Sequence, residues 1–214
     1  MPNWCRTEIR YVSDDKKSLS DFVKKLHEWR EQKWTKRRGY RLETLALQSS
    51  VAHEEDNDKI VDAEGHEIYC RGQIFEISLD ADGIHIIVME AWSPHLRLWE
   101  LLRRQYLPDA ELLFTASEPS EGILFTNDPQ YKNMCQVDTT ANWFKKLAKK
   151  AHMKKFNFDT YTVPEQDIVK ILQTELHTDK TDIDELIEMH QNSENTDDLF
   201  VRRWDYDADI KALM

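Results

Sequence analysis

The fold is decided by residues 67–106, which read EIYCRGQIFEISLDADGIHIIVMEAWSPHLRLWELLRRQY. Residues 67–79 are rich in strand-forming residues, and their alternation falters near Gly72, where a bulge would re-phase the two faces. The DADG sequence that ends at Gly83 predicts a hairpin turn, because glycine can adopt a positive φ. Residues 84–91 predict the returning strand, and their two-sided apolar character places it at the centre of a sheet.

A helix is predicted directly after this hairpin. Ser93 and Pro94 form its start, since proline suits the first helical position. Its apolar stripe consists of Leu96, Trp99, Leu102 and Tyr106. We expect Trp99 to be largely buried, together with Trp4 and Trp92.

The pattern continues on both sides of this segment. Residues 5–12 alternate like a half-buried strand, and a helix follows from Ser18. Residues 111–116 and 121–126 predict two further strands, and a short helical insert is expected at about 40–52. The order strand, helix, strand, strand, helix, strand is that of two split β-α-β units. It predicts an α+β, ferredoxin-like fold, whose antiparallel sheet carries its helices on one face and needs cover on the other.

The predicted domain organisation is a ferredoxin-like domain at 1–128 and an acidic, helical C-terminal extension at 129–214 that packs on it. The chain has 214 residues and a net charge of -11, which is unevenly distributed. Residues 157–214 contain 15 of the 40 acidic residues but only 5 of the 29 basic ones. Such a chain repels nucleic acid and anionic membranes unless a basic patch is segregated from the rest.

One basic cluster is a candidate for such a patch. Between positions 24 and 41, aromatic residues alternate with arginines and lysines. Aromatic rings among cations suit nucleic acid, because bases stack on the rings and phosphates pair with the cations. The candidate nucleic-acid-binding residues are Lys33, Lys36, Arg37, Arg38 and Arg41. The alternative is a solvated helix end with ordinary core tryptophans.

The sequence shows no pattern typical of catalysis or metal binding. Its three cysteines have no C-x-x-C spacing, and its eight histidines have no H-x-x-x-H spacing. Cys5 and Cys70 would meet if their strands were adjacent, and buried free thiols are the alternative. Neither a signal peptide nor a long apolar stretch is present. We therefore expect a cytoplasmic protein without cofactor, metal or membrane contact. The same observations favour a binding protein over an enzyme.

Five short motifs are spread over about residues 1–128. They are Met1-Pro2-Asn3-Trp4-Cys5, Tyr69-Cys70-Arg71-Gly72, Ala91-Trp92-Ser93-Pro94, Glu118-Pro119 and Phe125-Thr126-Asn127-Asp128. Together they resemble the YubB-like ferredoxin-like family of uncharacterised phage, plasmid and conjugative-element proteins. The matching positions are Asn3, Trp4, Cys5, Arg71, Gly72, Trp92, Ser93, Pro94, Glu118, Pro119, Asn127 and Asp128. The chain departs from the family where Ser117-Glu118-Pro119-Ser120 replaces Glu-Glu-Pro-Gly.

The resemblance implies a ferredoxin-like fold and an origin in a mobile element or its bacterial host, and it implies no activity. The sequence therefore predicts a non-enzymatic binding or accessory protein. Its alternative is a nucleic-acid-binding protein that uses the basic cluster. A protein partner and self-association through the open face of the sheet are both left open.

Overall fold

The computed structural model describes residues 3–31, 41–55, 59–118, 122–150, 153–157, 160–193 and 199–206. They form two compact units, one that ends at Asp128 and one that spans Pro129–Tyr206. Both units combine helices with antiparallel sheets, which confirms the α+β class. No described helix is both long enough and apolar enough to cross a bilayer.

The first unit contains ten described helices and strands. They are β1 (Trp4–Val12), α1 (Lys16–Glu31), α2 (Arg41–Gln48), β2 (His53–Glu55), β3 (Lys59–Val61), β4 (Gly72–Leu79), β5 (Ile84–Ala91), α3 (Leu96–Tyr106), β6 (Glu111–Glu118) and β7 (Ile123–Thr126). Five of the strands form a sheet in the order β4-β5-β1-β6-β7, with every neighbouring pair antiparallel. Strands β2 and β3 form a separate antiparallel pair.

The core of this unit lies between one face of the sheet and the helices. Period-two alternation turns Ile84, Ile86 and Val88 of β5 to this side, where all three are fully buried. Helix α3 packs against them through Trp99, which is also fully buried, as the sequence predicts. The hydroxyl of Tyr11 donates a hydrogen bond to the carbonyl oxygen of Trp99 at 2.7 Å. This contact ties α3 to the central strand β1.

Strand β4 has its irregularity at Phe75 and not near Gly72, because the pairing register shifts between Ile74 and Glu76. Gly72 has a different role, which is to allow a close approach of neighbouring groups. A Cβ atom there would lie 2.5 Å from the carbonyl oxygen of Met89 and 2.9 Å from Cδ1 of Leu42. Only glycine therefore allows β4, β5 and α2 to pack this closely.

The face of the sheet that points away from the helices holds an ion-pair network in which Arg10 and Asp128 are buried and Asp82 is exposed. Arg10 of β1 places Nη1 2.5 Å from Oδ2 of Asp128 and Nη2 2.6 Å from Oδ2 of Asp82. Asp128 follows β7 and Asp82 lies in the turn between β4 and β5, so one guanidinium joins two edges of the sheet. Residues Thr115 and Thr126, on the same face, are also buried.

The second unit is not the helical segment that the sequence predicts. It contains β8 (Met134–Thr139), α4 (Asn142–Lys150), β9 (Lys154–Asn157), β10 (Thr160–Pro164), α5 (Glu165–Leu176), α6 (Ile183–Gln191) and β11 (Leu199–Arg203). Its strands form an antiparallel sheet in the order β11-β8-β10-β9. Cys135 and Val137 of β8 are fully buried against the helices, together with Phe144 and Leu172. The expected helices are present, but the expectation of a helical extension misses this sheet, because β8 and β11 are short strands whose sequences alternate only weakly.

Candidate functional site

Most of the motif positions lie at one end of the five-stranded sheet. The backbone N–H of Trp92 donates to the carbonyl oxygen of Asn3 at 2.8 Å, and that of Ala91 donates to the carbonyl oxygen of Arg71 at 2.8 Å. These bonds bring together segments that lie far apart in the sequence. The positions that meet there are Asn3, Trp4, Cys5, Arg71, Gly72, Trp92, Ser93, Pro94 and Glu118.

A row of positions crosses the sheet at this end, on the side that faces the helices. Glu90 of β5 lies opposite Gly72 of β4 on one side and opposite Cys5 of β1 on the other. Glu118, the last residue of β6, acts electrostatically on Cys5 from its other side. All four positions are buried. We call the polar side chains around Glu90 the Glu90 cluster, which consists of Cys5, Thr7, Glu90, His95 and Trp99.

Glu90 has no solvent-exposed surface. Its Oε1 accepts a hydrogen bond from Nε1 of Trp99 at 3.2 Å, while its Oε2 has no partner with hydrogen-bonding geometry among the described residues. Burial raises the pKa of Glu90 to about 7, and hydrogen bonds from Thr7, Trp99 and the backbone N–H of His95 offset only part of that rise. Glu90 therefore exchanges its proton near neutral pH.

His95 immediately precedes α3 and is 6% exposed. Burial lowers the pKa of His95 to about 4, against a smaller opposing effect of a hydrogen bond to the backbone of Arg71, so the imidazole is neutral at pH 7. Its Nε2 is buried and has no hydrogen-bond partner within the part of the chain that the structure describes. The imidazole lies beside the ring of Tyr69, with the two centroids 5.9 Å apart.

Cys5 lies next to Glu90, and its Sγ is 3.8 Å from Oγ1 of Thr7. Burial, followed by the nearby carboxylate of Glu90, raises the pKa of the Cys5 thiol to about 12. A thiol with so high a pKa is not an effective nucleophile at neutral pH, because the thiolate is the reactive form.

Cys5 and Cys70 do not meet on adjacent strands. Strand β5 separates β1, which contains Cys5, from β4, which follows Cys70. Two strand spacings amount to roughly 10 Å, which exceeds the reach of a disulfide. Both thiols are buried, in agreement with the alternative.

The Glu90 cluster is enclosed, which limits what it can do chemically. A general acid or base must come within hydrogen-bonding reach of its substrate, and neither Glu90 nor Cys5 has any exposed surface. The cluster instead joins the centre of the sheet to the start of α3, through the bonds that Glu90 accepts from Trp99 and His95. Its geometry supports a structural, proton-linked role more than catalysis.

Two large aromatic side chains are exposed at the same end of the sheet. Tyr69 is 64% exposed and Trp92 is 47% exposed. The prediction that Trp92 is buried is wrong, because the residue leaves β5 with a φ of 75° and has its N–H fixed by Asn3. Trp4, for which the sequence also predicts burial, is only half-buried.

Protein-family models, curated proteins and solved structures were compared with this chain, and none of them matched. Membership of the family that the motifs resemble therefore stays a prediction. The assignment of candidate residues rests on the geometry of the site.

Two motif positions lie away from this end of the sheet. Asn127 accepts a hydrogen bond from the backbone N–H of Phe114 at 2.6 Å and donates one to the carbonyl oxygen of Leu112 at 3.0 Å. Asp128 pairs with Arg10, which lies six residues along β1 from Trp4, or roughly 20 Å in an extended strand. Asn127 and Asp128 therefore hold the opposite part of the sheet together.

The predicted nucleic-acid-binding residues are not placed by the structure. Lys33, Lys36, Arg37 and Arg38 lie outside the described residues, as do Pro119 and the side chain of Arg41. The preceding helix, α1, is described, and Trp29 on it packs 5.3 Å from the ring of Tyr106 and 6.2 Å from that of Phe22. Trp29 therefore contributes to the core, as the alternative of ordinary core tryptophans predicts.

Sequence reasoning did not find two clusters of acidic and histidine side chains. Each brings three candidate metal-ligand atoms within 4.8 Å of one another. They are Asp62, Glu64 and His66 after β3, and Asp80, Asp82 and His85 between β4 and β5. The spacings D-x-E-x-H and D-x-D-x-x-H were the signal in the sequence. Arg97 pairs with Asp62 in the first cluster and Arg10 pairs with Asp82 in the second, so each already contains a cation.

Asp62 shows why the first cluster is best explained as structural. Its Oδ1 accepts the backbone N–H groups of Glu64 at 2.9 Å and His66 at 3.0 Å, and its Oδ2 accepts Nε of Arg97 at 2.8 Å. Burial alone would raise the pKa of Asp62, but the bonds from Arg97, His66 and Glu64 outweigh it and lower the pKa. The carboxylate closes the loop after β3 and attaches it to α3.

Proposed function

We propose that this protein is a non-enzymatic binding or accessory protein that acts in the cytoplasm and is encoded by a mobile element or its bacterial host. One observation carries the proposal. At the end of the sheet that holds the Glu90 cluster, the titratable side chains of that cluster are buried, whereas Tyr69 and Trp92 expose large aromatic surfaces. Aromatic side chains are enriched in protein interfaces and among the residues that dominate binding energy. The proposed contact surface is therefore the pair Tyr69 and Trp92.

The proposal includes a ferredoxin-like arrangement of the first unit. Strands β1, β4, β5 and β6 occur in that order along the chain and lie in the order β4-β5-β1-β6 in the sheet. Helix α1 lies between β1 and β4, and α3 lies between β5 and β6. This is the order of two interlocked β-α-β units, to which α2, the β2-β3 hairpin and β7 are additions.

Membership of the YubB-like family is part of the same proposal. It is supported by the convergence of the quoted motifs at residues 3–5, 71–72 and 92–94 on one end of the sheet. Short motifs that match by chance would not be expected to share one place in the fold. Family membership would add an origin in a mobile element and no activity, since the fold alone does not define a function.

The test places a photo-crosslinking amino acid at Tyr69 or at Trp92 in the full-length protein. Controls carry it at Asp21 of α1 or Lys170 of α5, both exposed. After irradiation in an extract of the bacterial host, we expect one discrete adduct from positions 69 and 92. A second Trp92→Ala substitution in the Tyr69 probe should weaken that adduct. The same pattern from all four positions, or no adduct from 69 and 92, would refute the proposed surface.

The alternative is nucleic-acid binding through the basic cluster, favoured by its eight basic residues against only Glu28 and Glu31 between positions 24 and 41. If it holds, affinity for labelled single- or double-stranded nucleic acid falls steeply with salt. The double variant Arg37→Glu, Arg38→Glu should weaken binding and reduce its salt dependence. Absence of binding at low salt in fluorescence anisotropy would exclude this alternative.

A further inference from the structure

Helix α4 of the second unit lies in a part of the chain that is rich in lysine and contains no acidic residue. Residues 139–158 include six lysines and neither aspartate nor glutamate, although the whole chain has a net charge of -11. A globally acidic chain attracts polyanions only where basic residues are segregated from the acidic ones. This stretch meets that condition in the sequence.

Helix α4 has one face in the core and one face toward solvent. Phe144 and Ala148 are buried in the core of the second unit. The opposite side carries exposed residues, which we call the α4 face: Trp143, Lys146, Lys149 and Lys150. Lys146 lies three or four positions from each of the others, a spacing that places Cβ atoms roughly 5 to 6 Å apart on one side of a helix. The α4 face is therefore a compact group of one indole and three ammonium groups.

The three lysines of the α4 face have no ion-pair partner within the described part of the chain. Exposed lysines later in the same unit are paired instead: Nζ of Lys170 lies 3.4 Å from Oδ1 of Asp167, and Lys180 pairs with Glu185. Helices α5 and α6 contain the acidic residues of these pairs, whereas α4 contains no acidic residue. The positive charge of the α4 face is therefore available to a partner.

Trp143 adds an aromatic surface to this charge. Its side chain is 42% exposed, and its ring packs edge-on against Phe144, with the two centroids 5.6 Å apart. Because Phe144 is fully buried, this contact holds the indole in place at the surface. An exposed ring that is fixed in this way can stack on a planar group at little entropic cost.

These features favour one class of polyanion. A membrane fits less well, because amphipathic helices bind a bilayer with their apolar face, and α4 uses that face for the core. An acidic peptide would pair with the lysines but would have no planar group for Trp143. Single-stranded nucleic acid uses both kinds of side chain, since its phosphates pair with cations and its unpaired bases stack on aromatic rings.

We propose that the α4 face binds single-stranded nucleic acid. Trp143 stacks on a base, and Lys146, Lys149 and Lys150 pair with phosphates of the same strand. Recognition of phosphates and base faces tolerates any sequence. The site consists of other residues than the basic cluster at positions 24–41 and the pair Tyr69 and Trp92, and it depends on neither.

The experiment measures binding of the full-length protein to a fluorescent oligothymidylate of about 12 nucleotides by anisotropy, over a range of salt concentrations. Each phosphate that is neutralised contributes about 0.7 to the slope of the logarithm of affinity against that of salt. The double variant Lys146→Gln, Lys150→Gln should therefore reduce the slope by about 1.4 and weaken binding about ten-fold or more at about 50 mM salt.

Substitution of Trp143 separates stacking from charge. Trp143→Ala should weaken binding about five-fold or more and leave the slope unchanged, because a stacking contact releases no counterions. Trp143→Phe keeps a ring and should retain most of the affinity. This division between affinity and salt dependence would not arise if Trp143 only stabilised the fold. Circular dichroism of each variant checks that it is folded.

Controls test whether the effect belongs to the α4 face. The double variant Lys170→Gln, Lys180→Gln removes two exposed, paired lysines of the same unit and should leave the affinity unchanged. Absence of binding at about 50 mM salt would overturn the proposal. An unchanged slope in folded Lys146→Gln, Lys150→Gln would overturn it too. Displacement of the oligonucleotide by polyglutamate at equal charge concentration would show an acidic-peptide site instead.

Discussion

Replacement of Glu90 by Gln should change how the stability of the protein depends on pH. Glu90 is fully buried, and its pKa rises from 4.5 to about 7 on folding. Below pH 4.5 the carboxyl group is protonated in both the folded and the unfolded protein. As the pH rises from there to about 7, the unfolded state ionises first. The stabilising contribution of the proton is therefore lost over this interval and is absent above it.

The magnitude follows from the two pKa values. One pKa unit corresponds to about 1.4 kcal/mol, so the change from 4.5 to about 7 corresponds to about 3 kcal/mol. The substituted glutamine side chain would be uncharged at every pH and could still accept the hydrogen bond from Nε1 of Trp99. The free energy of unfolding of Glu90→Gln, relative to the original protein, should therefore rise by about 3 kcal/mol between pH 4.5 and pH 8.

The assay is urea denaturation of both proteins at several pH values, with unfolding followed by tryptophan fluorescence. Comparison at each pH cancels the titration of all other groups. The control is Glu76→Gln on β4, where the glutamate is exposed, and its difference from the original protein should stay within about 0.5 kcal/mol at every pH. A difference for Glu90→Gln that does not change between pH 4.5 and pH 8 would show that Glu90 ionises freely and would refute the reasoning.

Three further predictions use the same unfolding measurements or a thiol assay. Trp99→Ala should lower the free energy of unfolding by about 3 to 5 kcal/mol because Trp99 is fully buried. Trp92→Ala should lower it by less than about 1 kcal/mol, and equal losses for the two variants would contradict the assigned burial. Gly72→Ala should lower the unfolding temperature markedly because its Cβ would lie 2.5 Å from a backbone carbonyl oxygen, and an unchanged temperature would argue against that close approach. Cys5 and Cys135, both with a pKa of about 12, should react with a thiol reagent at pH 8 only after unfolding. Rapid labelling of the folded protein would contradict their enclosure.

The strands and helices with strong local signals can be read from the sequence. The sequence predicts the returning strand at 84–91 and β5 spans Ile84–Ala91, because its apolar run follows a clear turn. Helix α3 is predicted from its apolar stripe, which acts within the segment itself, but it begins at Leu96 with His95 as its N-cap, so Pro94 is not the first helical residue. Strand β8 is missed, since Cys135 and Val137 are the only apolar residues on its buried face and Gln136, on the other face, is buried too. Its strand pairing comes from residues distant in the sequence.

The candidate site can be predicted from the sequence only in part. Period-two alternation from Ile84 already places Glu90 on the buried face of β5, but this signal is easily overlooked because a glutamate at the end of a strand usually faces solvent. The position of Trp92 could not be read, since its positive φ depends on a backbone bond to Asn3. The separation of Cys5 from Cys70 depends on strand order, which local patterns do not specify.

The backbone conformation of Trp92 has a consequence for engineering this protein. A bulky residue with a φ of 75° costs about 1 to 2 kcal/mol, which glycine would not incur. The glycine variant would lose roughly 0.5 to 1 kcal/mol of unfolding free energy, because glycine gives the unfolded chain more conformational freedom. The indole ring is 47% exposed, so its removal costs little packing. A thermostability selection would therefore favour Trp92→Gly and remove the indole, so heat resistance and recognition would be optimised by different residues at this position.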